Sequence, residues 1–420
     1  MQTQLSPRYQ GTPEGEQAQA ILRKCVHCGF CLATCPTYQL LGDELDSPRG
    51  RIYLIKQVFE GAQPTQLTQQ HLDRCLTCRN CETTCPSGVD YGALIDLGRR
   101  VVEPQVERPA AQSALRWMLR EGLTSQLIRP ALRLGAAVRP WLPRILQDKL
   151  GAAPSPSARL APARTHARKM LLLAGCVQPG LQANINPATA RVLDAIGIQT
   201  LIAPTAGCCG AIRDHLADHD GALADMRRNI DAWLPYLDGS AGIDGVEAIV
   251  MNASGCGVTV KEYVRHLAHD PQYAEKARRI SSVTRDIGEI LSAEIEALRP
   301  RLRPQSTALG VHLPCTLQHG QRLPDLLEPL LRDLGFSVRS PAQEKHLCCG
   351  SAGTYSVLQP ALATALRDRK LGHLGKLQCA TIVSANIGCI QHLQSGTRTP
   401  VRHWIEVLEE SLVKDFARPA

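Results

Sequence analysis

The chain reads as α followed by α/β: a helical N-terminal domain, then two copies of an α/β module built on parallel strands. Three observations predict this. The first hundred residues carry cysteine runs set between helical periodicities and offer no strand pattern. The C-terminal two-thirds alternates short apolar strands with helices, which implies parallel pairing through right-handed crossovers. That alternation also repeats, with a Cys-Cys-Gly tripeptide at the same place in each copy, Cys208-Cys209-Gly210 and Cys348-Cys349-Gly350. The organisation expected is a helical domain over 1–104, a connector over 105–168, and modules over 169–300 and 301–420.

In the first domain, Cys25, Cys28, Cys31 and Cys35-Pro36 are answered fifty residues later by Cys75, Cys78, Cys81 and Cys85-Pro86. Both read C-x2-C-x2-C-x3-C-P, the run with which two-cluster ferredoxins hold [4Fe–4S] cubanes. Three thiolates on one turn grip three irons of a cube, and the fourth lies too far round and reaches the other cluster. The spacing therefore assigns Cys25, Cys28, Cys31 and Cys85 to one cluster and Cys75, Cys78, Cys81 and Cys35 to the other. A zinc site favours separated pairs, and a disulfide framework does not produce two complete runs with their prolines.

Helices are expected from Pro48, with Ser47 as N-cap, over Leu67–Arg74 and over Ala93–Val102. Arg49 and Arg51 read as solvated charges at a helix start. Met1–Gly15, polar and rich in Gln, Pro and Gly, reads as a frayed leader with no signal-peptide character. Seventeen cysteines without such a signal point to a reducing compartment and metal ligation. No apolar run reaches the length of a membrane span.

The net charge of +8 invites a nucleic-acid reading, but its distribution opposes it. Residues 105–169 hold twelve Lys or Arg against three Asp or Glu, so this stretch alone carries the excess. Four Phe and four Trp in the whole chain make no stacking platform. The same stretch interleaves arginines with Ala114, Leu115, Trp117, Met118, Leu119 and a further apolar series from Leu127 to Leu150. Prolines at 109, 130, 140 and 143 cut it into short amphipathic helices, which either pack on their neighbours or lie on an anionic membrane surface. Residues 152–157 read as a flexible linker.

In the first module, the strand Lys169–Ala174 leads to Cys176, the helix Ala190–Ile196 stops at Gly197, and the strand Gln199–Ala203 leads to Cys208-Cys209. The strand Ala248–Met251 then leads to Cys256. In the second, Ala308–Leu313 leads to Cys315, Leu326–Leu334 stops at Gly335, and Ser337–Arg339 leads toward Cys348-Cys349. Thr381–Ser384 leads to Cys389. The carboxyl ends of parallel strands form the crevice of such sheets, so four thiols of each copy are expected to converge as a possible further metal site. Cys379 fits neither set and reads as a plain buried thiol.

These features resemble the iron–sulfur subunits shared by glycolate oxidase, anaerobic glycerol-3-phosphate dehydrogenase and heterodisulfide reductase. The stretches Cys25-Val26-His27-Cys28-Gly29-Phe30-Cys31, Gly42-Asp43-Glu44-Leu45-Asp46-Ser47-Pro48-Arg49-Gly50-Arg51 and Cys75-Leu76-Thr77-Cys78-Arg79-Asn80-Cys81 resemble the glycolate oxidase branch. The resemblance implies two [4Fe–4S] clusters here, FAD on partner subunits that oxidise glycolate to glyoxylate, and electron delivery to a membrane quinone. It also implies a cytoplasmic protein, peripheral on the inner membrane. A lactate or glycerol-3-phosphate dehydrogenase relay is the alternative, and a non-redox iron–sulfur scaffold stands behind it. The heterodisulfide reductase branch ends its modules in Cys-x-x-Cys, whereas the first position here is Ala253 or Asn386. Each module keeps four of five cysteines, which leaves a further cluster, a metal-free remnant or a quinone-facing surface open. No G-x-G-x-x-G fingerprint follows a strand, so no flavin or nicotinamide site is expected on this chain.

Overall fold

The computed structural model describes residues 1–125 and 164–413. Its N-terminal part is helical: α1 (Pro13–Lys24), α2 (Pro36–Leu41), α3 (Pro48–Phe59), α4 (Gln66–Asp73), α5 (Asn80–Thr83) and α6 (Tyr91–Val102). The first cysteine run links α1 to α2, and the second runs from the end of α4 past α5. Pro48 opens α3, and the Ser47 hydroxyl accepts from the Gly50 amide at 3.0 Å, as its position at the helix start requires. α3 and α6 pack tightly because Gly98 has no side chain: a Cβ there would lie 2.6 Å from Ile55. Ile55, Phe59, Leu94 and Leu97 fill the core between them.

Two expectations change in this domain. The leader is not frayed: the Ser6 amide donates to the Phe59 carbonyl at 2.9 Å, and the Tyr9 ring packs on Phe59 with centroids 4.8 Å apart. Its polar composition hides one aromatic anchor. Arg51 is not solvated: its side chain is 1% exposed and its guanidinium meets Asp46 at 3.1 Å, the Thr37 hydroxyl at 3.2 Å and the His71 carbonyl at 2.7 Å. Arg49 does keep contact with solvent, paired with Glu44 at 2.8 Å.

Helix α7 (Ala110–Thr124) carries the described part of the basic connector. It is tied down by ions more than by apolar packing: Arg116 is buried beside Asp73, and Glu121 pairs with Arg213 at 2.9 Å, while Trp117 and Met118 are exposed. The apolar series from Leu127 to Leu150 and the linker at 152–157 lie outside the described residues.

The two modules are four-stranded parallel sheets. The first has β1 (Arg168–Leu172), β2 (Ile198–Leu201), β3 (Val246–Met251) and β4 (Thr284–Asp286) in the order β2-β1-β3-β4. The second has β5 (Ala308–Val311), β6 (Ser337–Arg339), β7 (Thr381–Ser384) and β8 (Val401–His403) in the order β6-β5-β7-β8. Registers correspond: Leu172 lies opposite Val250 as Val311 lies opposite Val383. The edge strands β4 and β8 extend the repeat beyond what the sequence suggested. One apolar cluster spans both modules, joining Leu172, Val192 and Ile287 to Leu313, Leu331 and Trp404. Arg191 seals the seam, buried and 2.9 Å from Glu409.

Candidate metal centres

The two cysteine runs of the helical domain fold alike. His27 and Gly29 in the first, and Thr77 and Arg79 in the second, have positive φ between 53° and 83°. Three of these four are not glycine, and a left-handed residue with a Cβ costs about 1–2 kcal/mol. Such repeated strain marks loops wound to turn their thiols and amides toward one point. Cys25, Cys28, Cys31, Cys81 and Cys85 line one small cavity of about 30 Å³. Cys35, Cys75, Cys78 and Cys81 line a second, of about 20 Å³. Tyr91 borders both cavities, and its hydroxyl lies 3.6 Å from the Cys75 sulfur.

Other polar groups converge on these sulfurs. The Thr37 hydroxyl is 3.3 Å from Cys35 Sγ, and the Thr77 amide donates to Cys75 Sγ at 3.4 Å. Arg99 braces the second run, donating to the carbonyls of Leu72 at 2.8 Å and Cys75 at 2.6 Å. Burial pushes the Cys31 thiol up to about 11 and raises those of Cys78 and Cys81 well above the ordinary range. Such sites hold thiols until a metal displaces the protons. At least four thiols, strained concave loops and hydrogen bonds to sulfur suit an iron–sulfur cluster in each cavity.

The runs differ in surroundings. Val26 and Phe30 in the first are 67% and 62% exposed, and Cys28 is exposed beside them. Their counterparts in the second, Leu76 and Asn80, are 6% and 2% exposed. Leu76 and Cys78 pack with Cys315 and Cys348 of the second module. Asn80 donates to the His346 carbonyl at 3.4 Å, Thr83 meets His319 at 2.8 Å, and Arg79 forms a two-point ion pair with Glu262 of the first module.

The module thiols gather as expected from their strands. Cys176 and Cys208 sulfurs are 3.6 Å apart, as Cys315 and Cys348 are at 3.7 Å. Cys209 joins Cys208 to Cys256, and Cys349 joins Cys348 to Cys389. Contact with the Cys176 and Cys209 thiols pulls Cys208 well below the ordinary thiol range. The Cys315 thiol is raised, first by its bond to Cys348 and then by burial. Both signature glycines are forced: Gly210 and Gly350 have φ of +97° and +90°, and a Cβ on Gly350 would sit 2.5 Å from the Ala363 carbonyl oxygen. Their amides each donate to the first sulfur of the pair at 3.5 Å. Cys379 stands outside both groups, its Sγ 3.6 Å from the Leu377 carbonyl.

Ala253 and Asn386 occupy equivalent helix-start positions where a fifth cysteine was absent. Asn386 is not inert: its amide donates to Cys389 Sγ at 3.5 Å and its carbonyl accepts from Gly255 of the other module at 3.2 Å. Between the second run, α6, α7 and the two modules lies a cavity of about 730 Å³, bordered by Cys78, Cys176, Cys256, Cys315 and Cys389. Nothing in the cysteine spacing signals that thiols of three domains share one chamber.

Residues 21–89 match the 4Fe-4S dicluster domain family, and 170–261 and 309–394 each match the Cysteine-rich domain family. Fold and site thus define an iron–sulfur electron-transfer protein with two cysteine-rich modules. Across the whole length the chain is 51% identical to the glycolate oxidase iron-sulfur subunit of Escherichia coli K12, covering 99% of this chain and all of that protein. It is 29% identical to the probable glycolate oxidase iron-sulfur subunit of Bacillus subtilis 168 over 89% of each. It is 25% identical to lactate utilization protein A of Bacillus licheniformis, over 57% of this chain and 98% of that one. The chain belongs to the glycolate oxidase iron–sulfur subunit family and is an electron-transfer subunit of an oxidoreductase complex. No helix among the described residues is long and apolar enough to cross a membrane.

Proposed function

We propose that this chain is the relay of a glycolate dehydrogenase complex, taking electrons from FAD-bearing subunits that oxidise glycolate to glyoxylate and passing them toward membrane quinone. The observation that carries this reading is the whole-length 51% identity to a glycolate oxidase iron-sulfur subunit. In it, Cys25, Cys28, Cys31 and Cys85 hold one [4Fe–4S] cluster and Cys75, Cys78, Cys81 and Cys35 the second, in keeping with the residues that border the two cavities. Clusters so bound store and release electrons singly, which splits the two-electron output of a flavin. The module thiols, four in each copy, remain candidate ligands for a further metal.

The contrast between the runs supports a direction. The exposed run, with Val26 and Phe30 beside Cys28, is the docking face for the flavin subunit, and the buried run lies on the path toward the modules. Phe30→Asp is expected to slow glycolate-dependent dye reduction by about tenfold, the loss typical of a central apolar contact, with iron content unchanged. Undiminished transfer by that variant would place the docking face elsewhere. We further propose peripheral attachment to the cytoplasmic face of the inner membrane through the basic connector. A chain lacking residues 110–150 that still sediments with membranes would remove that role.

The deciding experiment measures dye or quinone reduction by lysate and membranes with and without this chain, offered glycolate, lactate and glycerol 3-phosphate in parallel. Loss confined to glycolate supports the proposal. Loss confined to lactate or to glycerol 3-phosphate assigns the relay to that dehydrogenase, and persistence of all three refutes a role in any of them.

A further inference from the structure

The two modules share a backbone but differ at one buried pair. The amide of Leu173, just past β1, donates to the Val250 carbonyl on β3 at 3.3 Å; the amide of His312, just past β5, donates to the Val383 carbonyl on β7 at 2.9 Å. Leu173 and His312 are therefore equivalent, and one step along the neighbouring strand so are Met251 and Ser384. The first module fills this place with two apolar side chains, the second with an imidazole and a hydroxyl, and all four are buried. The fold tolerates the apolar pair. Placing an unsatisfied polar group there instead is destabilising.

His312 is only half satisfied. Its Nδ1 is 2.9 Å from the Ser384 hydroxyl, while its Nε2 is buried with no hydrogen-bond partner among the described residues. Ligand atoms of His312, Cys349 and Cys389 all lie within 4.8 Å of one another, and all three residues are buried. The ring is held by a hydroxyl on one nitrogen, as metal-bound histidines are held by an outer partner, and it keeps a second, unpartnered nitrogen in a residue that clusters with two thiols.

We infer that His312, Cys349 and Cys389 form a mononuclear site for a divalent ion of the zinc class, distinct from the clusters of the helical domain. Mixed imidazole and thiolate donors suit such an ion. Binding replaces the two thiol protons, which leave to solvent, with one divalent cation, so the buried centre is neutral overall. No electron is transferred. The first module has the same two cysteines, Cys209 and Cys256, but meets them with Leu173 and lacks the nitrogen donor. The inference rests on reading the module thiols as metal ligands, and not on the identity of the complex that the chain serves.

The test uses the full chain with its clusters, grown with supplementary zinc, washed with chelator and assayed for zinc and iron together. About one zinc per chain is expected, beside the ~8 irons that two cubanes require. The double variant His312→Leu/Ser384→Met, which copies the first module, should lose zinc affinity by at least tenfold with iron unchanged. His312→Cys, which restores a donor, should keep it. Zinc near zero in the unaltered chain with iron at eight, or equal zinc in the double variant, overturns the site and leaves the relay intact. Iron well below eight counts instead against the two-cluster reading. Should the double variant fail to fold, cobalt titration of the unaltered chain decides: a thiolate-to-cobalt band in difference spectra saturating at one ion per chain supports the site, and its absence overturns it.

Discussion

Cys85→Ser is expected to halve the iron content, from ~8 to ~4 per chain, because each cubane carries four irons and the proposed assignment gives this cysteine to one of two. It should also abolish glycolate-dependent dye reduction by the complex. The informative part is which centre disappears. Cys85 lies in the second run but borders the cavity of the first, with Cys25, Cys28 and Cys31. Its electron paramagnetic resonance spectrum and redox titration should therefore match those of Cys28→Ser and differ from those of Cys78→Ser. A match to Cys78→Ser would mean that each run keeps its own fourth ligand.

The second large effect is expected at Asp46. Its carboxylate is fully buried and receives Arg51 at 3.1 Å and Arg74 at 2.8 Å. Asp46→Ala would leave the Arg51 guanidinium, itself 1% exposed, with only a hydroxyl and a carbonyl as partners. Removing one member of a buried ion pair costs about 3–5 kcal/mol, since the remaining charge stays out of water. The urea midpoint for loss of the helical domain should fall by about 1–2 M. Cys35 should be disturbed as well, because the Thr37 hydroxyl joins the Cys35 sulfur to the Asp46 carbonyl, at 3.3 and 2.8 Å. Arg51→Lys would not be benign, since one ammonium cannot reach all three of its partners. An Asp46→Ala midpoint within about 0.3 M of the unaltered chain would show that solvent reaches Arg51.

The sequence carried much of this because the informative features are local. The cysteine runs fix their loops by spacing, and Gly210 and Gly350 announce positions where only glycine fits. The α/β alternation was legible because β1, β3, β5 and β7 are central strands with apolar runs. What escaped depends on distant partners. β4 and β8 are three residues each, Thr-Arg-Asp and Val-Arg-His, and neither has enough apolar character to stand out from a loop. Arg51 sits on an amphipathic helix where a charge normally faces water; Asp46 lies only five residues before it, but the His71 carbonyl that also holds it and the Arg74 that shares Asp46 come from the region of α4. His312 looks like any lone histidine until the register sets it against Leu173. The unequal exposure of two near-identical cysteine loops is likewise invisible until the modules are in place.

That asymmetry also sets the order in which the protein wears out. The loop around Cys28 stands open to dissolved oxygen and peroxide, while the loop around Cys78 is roofed by the second module. Oxidative attack on iron and thiolate follows access. On the docking face proposed above, the outer centre is thus the sacrificial one, and material aged in air is expected to pass through a half-loaded form that keeps its inner centre but can no longer be charged from a flavin partner. Iron content alone would describe such material as half active; in turnover it would be dead.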